Sequence, residues 1–150
     1  MARRKLISEP SSFPDLSIIG ITSQLKDYRL AFFLNKDTAL SLNRMNDLPV
    51  YAEKENLLPE YPLYYCHQTN QRAHFYLLGN NHTITKIIPV YKQADFLLMV
   101  RGQLDPENII SLTQNIRKIN GVQLVFNMDL LKIKNLEGIM SDIELHMMSN

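Results

Sequence analysis

The stretch that decides the fold runs from Asp95 to Asp129 and reads DFLLMVRGQLDPENIISLTQNIRKINGVQLVFNMD. An apolar run, an amphipathic segment and a second apolar run follow one another in it, which predicts strand, helix, strand. Every residue from Phe96 to Val100 is apolar. A strand tolerates this only when both of its faces are covered, so we expect it in the interior of a sheet. A crossover of this length normally joins parallel strands in a right-handed sense.

The helix of this unit carries signals at both of its ends. Asp105 is a natural N-cap, and Pro106 suits the first helical position because its missing N–H would have had no partner there. Gly121 supplies the left-handed residue that ends the segment, and Val122 to Met128 returns as a strand. The apolar residues recur at helical spacing and form one stripe: Ile109, Leu112, Ile116 and Ile119.

Length and composition place the chain among ordinary globular proteins. At 150 residues it is most economically one domain, which we place at 16–129, after an irregular arm over 1–15 and before a tail over 130–150 packed on the domain or ordered by a partner. A net charge of +1 argues against strong sequence-independent binding of polyanions. No apolar run has the length of a membrane helix, and no signal sequence follows the basic start, so the cytoplasm is the expected compartment.

The amino-terminal part repeats the order of strand and helix. Leu16 to Thr22 reads as a strand, and Ser23 is placed to cap a helix that opens at Gln24 and ends near Asn35 and Lys36. Three residues share one face of this helix and are expected in the core: Leu25, Tyr28 and Phe32.

The middle of the chain predicts an excursion followed by a meander. Residues 37–62 contain three prolines and read as a long excursion, either a partner-binding segment or a plain surface loop, and 38–42 fits a short strand or a continued helix. Residues 63–69 and 73–79 form a hairpin pattern rich in aromatic residues, and 83–88 would be a third strand. The tail alternates apolar and charged residues, which indicates a strand or helix laid on the body.

Together these elements predict an α+β fold of the ferredoxin-like or ACT-like kind. It would be a split β-α-β arrangement with a mixed sheet and two helices on one face, which leaves the other face open.

Several residues resemble the IPExxVD family of small Bacteroidetes proteins. The residues that carry the likeness are Ile19 to Ser23, Leu25 to Asn35, and Ile88 and Pro89 followed by Asp95 to Leu98. The likeness runs over most of the chain, from about the first strand to the last. The family implies a lineage and no activity. Val90 stands in place of its glutamate and Ala94 in place of its valine, so no role of that glutamate is carried over to this chain.

Patterns for catalysis, metals and cofactors are missing from the sequence. The four histidines are scattered, the glycine-rich phosphate patterns are absent, and we expect neither a cofactor nor an enzyme. Cys66 and His67 are neighbours on a strand and should point to opposite faces, which favours a buried thiol over a nucleophile–base pair.

Candidate binding residues fall into three groups. A small ligand would use the turn and first helix, where an anion could meet free N–H groups: Ser23, Lys26, Asp27 and Arg29. Asp95 opens an apolar strand and needs a donor, and we expect a structural role for it. RNA would use the hairpin: Arg72, Phe75 and Tyr76.

The leading functional prediction is therefore a non-enzymatic interaction or regulatory module of the cytoplasm. Its partner would be a protein or a second copy of the chain, met through the sheet edge or residues 37–62. The alternative is an RNA-binding accessory protein that uses the aromatic hairpin on the open sheet face. The third is an ACT-like sensor of a small ligand. No membrane is expected as a partner.

Overall fold

A computed structural model of the chain describes residues 13–149, so most of the predicted amino-terminal arm lies outside the described residues. The elements follow in the order β1 (Leu16–Ser23), α1 (Asp27–Thr38), β2 (Asn43–Arg44), β3 (Leu48–Pro49), β4 (Glu60–Tyr61), β5 (Leu63–Gln68), β6 (Ala73–Gly79), β7 (Phe96–Gly102), α2 (Pro106–Arg117), β8 (Val122–Asn127) and α3 (Leu136–Ser149). The α+β class is confirmed.

A six-stranded sheet in the order β2-β5-β6-β7-β1-β8 organises the molecule, and β3 and β4 form a small second sheet. The expected mixed sheet is wrong, because each strand pair in the described chain is antiparallel. The helix α2 does connect two strands that run the same way, β7 and β8. They are not neighbours, because β1 lies between them and pairs with both.

The interior position of β7 is confirmed. The strand pairs with β6 on one side and β1 on the other, and its residues Phe96 to Val100 are all buried. Leu98 and Val100 belong to the core cluster on one face, whereas Leu97 and Met99 belong to the cluster on the other. An uninterrupted apolar run is what a strand with two covered faces requires.

One face of the sheet carries α1 and α2, as predicted. The stripe on α2 is confirmed, because Leu112 and Ile116 are buried against the sheet together with Ile119, just past the helix end. Asp105 stands at the N-cap position, but its side chain makes no capping hydrogen bond.

The predicted apolar face of α1 is wrong. Tyr28 is 63% exposed and Phe32 61% exposed, and the buried residues are Leu30, Ala31 and Leu34. The helix begins at Asp27 rather than at Gln24, because Ser23 still belongs to β1 and the next three residues make the turn. The leucines therefore face the sheet, and the two aromatic rings, four residues apart, face solvent together.

The second face of the sheet is covered in part by α3. Ile139, Met140 and Ile143 of this helix are buried in the core cluster on that face. The expectation of one face without helices therefore does not hold, and only part of that face is left open.

Residues 37–62 wrap around the β5 edge of the sheet. Leu40 and Leu42 are buried with the helices of the first face, while Leu48 and Tyr61 are buried on the second. Thr38 is the last residue of α1, and 39–42 is neither strand nor helix. The Asn35 side chain holds it by accepting from the Leu42 N–H at 2.8 Å and donating to the Leu42 carbonyl at 3.1 Å.

The hairpin of β5 and β6 is confirmed, but the third strand predicted over 83–88 is wrong. An irregular loop joins β6 to β7, and it is organised by Asn80, which is 0% exposed. Its amide donates to the Ala94 carbonyl at 2.8 Å and accepts from the Ile88 N–H at 2.9 Å. The side chain of Asn80 thus supplies hydrogen-bond partners to backbone groups of the loop that a neighbouring strand would otherwise satisfy.

Candidate functional site

The hairpin of β5 and β6 sends its side chains alternately to the two faces of the sheet, as the pleat requires. Tyr64, Cys66 and Phe75 point towards α1 and α2 and lie in the core. Four rings point the other way and are half-buried or exposed. We call this set the ring row: Tyr65, His67, His74 and Tyr76.

Strand register brings the ring row together. Tyr65 lies opposite Tyr76, and His67 lies opposite His74. The imidazole centroids are 4.2 Å apart with planes at 5°, and the two phenol rings are 5.1 Å apart. Tyr65 Oη lies 2.7 Å from Nδ1 of His74, which ties the two pairs diagonally. Cross-strand contacts of this kind stabilise a hairpin and hold its side chains in fixed positions.

Burial and neighbouring groups favour the uncharged forms of three rings of the row, His74, Tyr65 and Tyr76. Burial lowers the pKa of His74, and the neighbouring His67 and Arg101 lower it further. A neutral His74 can accept a hydrogen bond from the Tyr65 hydroxyl at Nδ1. Burial also raises the pKa of Tyr65 and of Tyr76, so both phenols keep their protons at neutral pH.

Two arginines border the row, one on the neighbouring strand β7 and one in the hairpin turn. Arg101 lies directly opposite His74 in the register, and Arg72 is exposed in the turn between β5 and β6. Arg101 Nη1 donates to Glu144 Oε2 at 2.7 Å, and its Nε lies 3.9 Å from Asp15. These groups and Tyr76 line a shallow depression of about 510 Å³.

The turn that carries Arg72 depends on Gly102. A Cβ added at Gly102 would lie 2.2 Å from the Arg72 carbonyl oxygen, and the residue has a φ of +147°. Arg72 itself has a left-handed φ of 53°. Glycine at 102 therefore lets the turn approach β7 and places the guanidinium beside the depression.

The structure separates the three residues predicted to bind RNA. Arg72 and Tyr76 line the depression together, whereas Phe75 points to the opposite face and is 1% exposed. A buried ring offers no surface on which a base could stack, so Phe75 is a core residue. The alternation of a strand explains the split, because adjacent residues cannot share a face.

Ser23 and Asp95 belong to a structural network at the end of β1. The Ser23 hydroxyl donates to the Gly121 carbonyl at 2.7 Å and accepts from the Leu25 N–H at 3.1 Å. Its backbone N–H donates to one Asp95 carboxylate oxygen at 2.9 Å, and the other oxygen accepts from Asn81 at 2.9 Å. These bonds join β1 to the loops before β7 and β8, and they occupy the N–H groups of Ser23 and Leu25 at this turn.

The other residues of the first candidate group are spread over α1. Lys26 is exposed at the N-cap position, and Arg29 lies 5.9 Å from the Phe33 ring. Asp27 accepts a hydrogen bond from the Tyr64 hydroxyl at 2.6 Å. Burial, with this bond, raises the pKa of Tyr64. None of these side chains lies in the ring row.

Glycine at 20 has a packing explanation. A Cβ there would lie 2.5 Å from the ring of Phe126, its partner on β8. The residue thus makes room for an aromatic side chain on the neighbouring strand.

The sequence analysis did not predict that four residues lie together on one surface: Tyr65, His67, His74 and Arg101. The period of two was readable in the hairpin, and the short connection over 69–72 fixes which residues face each other. The pairing with β7, which adds Arg101, joins distant parts of the chain and has no local signal.

Residues 13–149 contain neither a candidate metal centre nor a helix that could cross a membrane. No group of three or more His, Cys, Asp and Glu side chains in this part of the chain could hold a metal ion. No helix in the same residues has both the length and the apolar character needed to cross a membrane. Cys66 is buried, and burial raises the pKa of its thiol.

Comparison with protein-family models and with curated proteins gives no match to this chain. The resemblance to the IPExxVD family therefore stays a prediction from the quoted residues.

Proposed function

We propose that this chain is a non-enzymatic binding module of the cytoplasm and that its ring row binds single-stranded RNA. The observation that carries the proposal is the register of β5, β6 and β7, which sets four half-open rings side by side with Arg101 in line and Arg72 at the end. Aromatic rings flanked by cations on a sheet are the usual surface for unpaired bases.

The physical basis is stacking assisted by charge. A base stacked on an aromatic side chain is stabilised by about 1–3 kcal/mol, whatever its identity. Arg72 supplies a cation for a phosphate group, and Arg101 does so in competition with Glu144. Because the whole chain has a net charge of only +1, stacking rather than bulk charge has to carry the affinity.

The topology supports a finer fold assignment, which we also propose. Read from the edge, β8-β1-β7-β6 is the strand order of a ferredoxin-like split β-α-β fold, with α1 and α2 on one face. The strands β5 and β2 would then be an extension of that sheet. Half of the ring row lies on this extension.

Fluorescence anisotropy with labelled single-stranded RNA of about eight nucleotides tests the function. We expect salt-sensitive binding that Tyr76→Leu weakens roughly fivefold to 100-fold, since leucine keeps the apolar contact but removes the ring. Arg72→Gln should reduce the slope of log affinity against log salt by about 0.7.

Tyr28→Leu is the matched control, because this ring is 63% exposed on the opposite face of the sheet. It should bind RNA as the wild type does. Equal losses in Tyr28→Leu and Tyr76→Leu, or the absence of RNA binding in the wild type, would remove the ring row as the site.

A homodimer is a second candidate, favoured by the β8 edge. This strand is six residues long and pairs only with β1 within residues 13–149, and its Leu124 is 46% exposed. An unpaired strand edge can pair with the same edge of a second copy. Arg117, whose side chain donates to the Val125 carbonyl at 3.1 Å, covers part of it.

Analytical ultracentrifugation tests this second candidate. A dimer that Leu124→Lys converts to a monomer would support it, since a charge on an edge strand opposes pairing. A wild-type chain that stays monomeric at high concentration would contradict it.

A further inference from the structure

A groove lies on the face of the sheet that carries α3, bounded by residues 50–55, 85–90 and 132–135 together with Ile139. Its volume is about 660 Å³. Binding sites for small molecules occupy about 300–1,000 Å³, so the groove has the size of a ligand site. Three segments that are distant in sequence form its walls. We call it the lysine groove.

The floor of the lysine groove is apolar. It consists of buried aliphatic side chains: Val50, Ile88, Ile133 and Ile139. Tyr61 lies among them at 0% exposure, and its hydroxyl donates to the Thr85 carbonyl at 2.9 Å. Burial raises the pKa of this phenol, and Glu55 raises it further. With its one polar group already bonded inside the protein, the floor favours an apolar ligand body.

The rim is cationic. Four lysines line the groove: Lys54, Lys86, Lys132 and Lys134. Only two carboxylates line it with them, those of Glu53 and Glu55. None of these lysines makes an ion pair within residues 13–149. Lys86 donates to the Asn81 side chain. The rim therefore has an excess of two positive charges above an apolar floor.

We propose that the lysine groove binds an aliphatic carboxylate, with the hydrocarbon chain on the floor and the carboxylate at the rim. An ammonium group pairs with a carboxylate from many directions, which suits a mobile head group. A bare inorganic anion would leave the floor uncovered, and a neutral hydrocarbon would leave the cations unused. The groove shares no lining residue with the depression beside the ring row, so this proposal stands or falls independently of RNA binding.

Isothermal titration calorimetry of the full chain with sodium decanoate tests the proposal. We expect one site per chain, and affinity that rises roughly two- to fourfold for each methylene group between hexanoate and decanoate. Decanamide, which has the same chain without the charge, should bind roughly tenfold more weakly.

Exposed lysines provide variants that keep the fold. Lys132→Gln together with Lys134→Gln should weaken decanoate roughly tenfold and leave decanamide unchanged. The matched control is Lys26→Gln together with Lys36→Gln on α1, which removes the same charge from the other face of the sheet. It should leave decanoate binding unchanged.

Three results would overturn the proposal. The first is no heat of binding with decanoate at either of two well-separated temperatures at which the chain is folded, since the enthalpy of apolar burial changes with temperature and cannot vanish at both. The second is pyrophosphate bound as tightly as decanoate, which would mean a simple anion patch. The third is equal loss in the two double variants, which would place the carboxylate outside the groove.

Discussion

Among single residues, Asn80 is the one that organises the loop between β6 and β7. It is fully buried, and its side chain bonds to the backbone at Ala94 and at Ile88, while its own N–H donates to the Asp95 carbonyl at 2.9 Å. Each side-chain bond satisfies a backbone group of the loop between β6 and β7 that lies away from water.

Replacing Asn80 by alanine should lower the free energy of unfolding by about 2–4 kcal/mol, since two buried backbone groups lose their partners. Urea denaturation measures this loss. Asn81→Ala is the control, because that side chain is exposed, and it should cost about 1 kcal/mol or less. Similar losses in the two variants would show that Asn80 does not organise the loop.

His74 gives the molecule a pH dependence with a definite sign. Its pKa in the folded protein is lowered, so the unfolded chain binds a proton more readily. Its contribution to stability is therefore complete above its ordinary value of about 6.5 and is lost as the pH falls below that value towards the folded pKa.

Melting temperatures recorded between about pH 8 and about pH 5 test this sign. The wild type should lose stability towards acid, and His74→Gln should lose less, since glutamine does not titrate. A steeper acid loss in His74→Gln than in the wild type would contradict the assignment.

Among the elements, α1 shows most clearly why burial cannot be read from residue type alone. Leu34 is 0% exposed, while Phe32, two residues earlier and larger, is 61% exposed. Leu34→Ala should lower stability by about 2–5 kcal/mol, as expected for a buried leucine. Phe32→Ala should change it by about 0.5 kcal/mol or less. Thermal or urea unfolding of the two variants checks this, and a larger loss for Phe32→Ala would mean that the ring is covered in solution.

The elements also show which features a sequence can specify. The run from Phe96 to Val100 and the stripe on α2 were predictable, because each encodes its burial in a local period. The buried face of α1 was not predictable, since Leu25, Tyr28 and Phe32 fit a helical stripe as well as the residues that are buried. Those residues are Leu30, Ala31 and Leu34. What decides between them is where β1 ends, and Ser23 stays in β1 through bonds to Asp95 and Gly121.

The candidate site was predictable only where a local pattern in the hairpin points to its residues. Arg72 and Tyr76 were identified from the hairpin, but Phe75 was assigned to the wrong face of the sheet. Arg101 could not be placed beside them, because the pairing of β6 with β7 depends on the irregular loop between these strands. The sequence of that loop predicts a strand over 83–88, but the loop is irregular, and the buried side chain of Asn80 bonds to its backbone.

At the scale of the whole molecule, α3 borders both proposed sites. Ile139 in its first half lines the lysine groove, and Glu144 further along lines the depression beside the ring row. The helix thus leaves two open areas on the same face, one lined by rings and arginines and one by lysines over an apolar floor.

The contact between α3 and the sheet gives a prediction about binding. Glu144 is 58% exposed and pairs with Arg101 at 2.7 Å. Glu144→Gln should strengthen RNA binding roughly two- to fivefold, because it removes a carboxylate beside the site and leaves the guanidinium to a phosphate. Anisotropy titrations measure the change. Weaker binding in this variant would mean that the ion pair positions Arg101 for the ligand.

The most direct test of the RNA-binding proposal is a nuclear magnetic resonance titration of the isotope-labelled chain with unlabelled single-stranded RNA. RNA binding at the ring row predicts that the largest shifts map to β5, β6 and the end of β7, at the ring row, Arg72 and Arg101, while α1 and α2 stay unchanged. Shifts confined to the helices, or none at all, would contradict it and would leave the ring row as a structural feature of the hairpin.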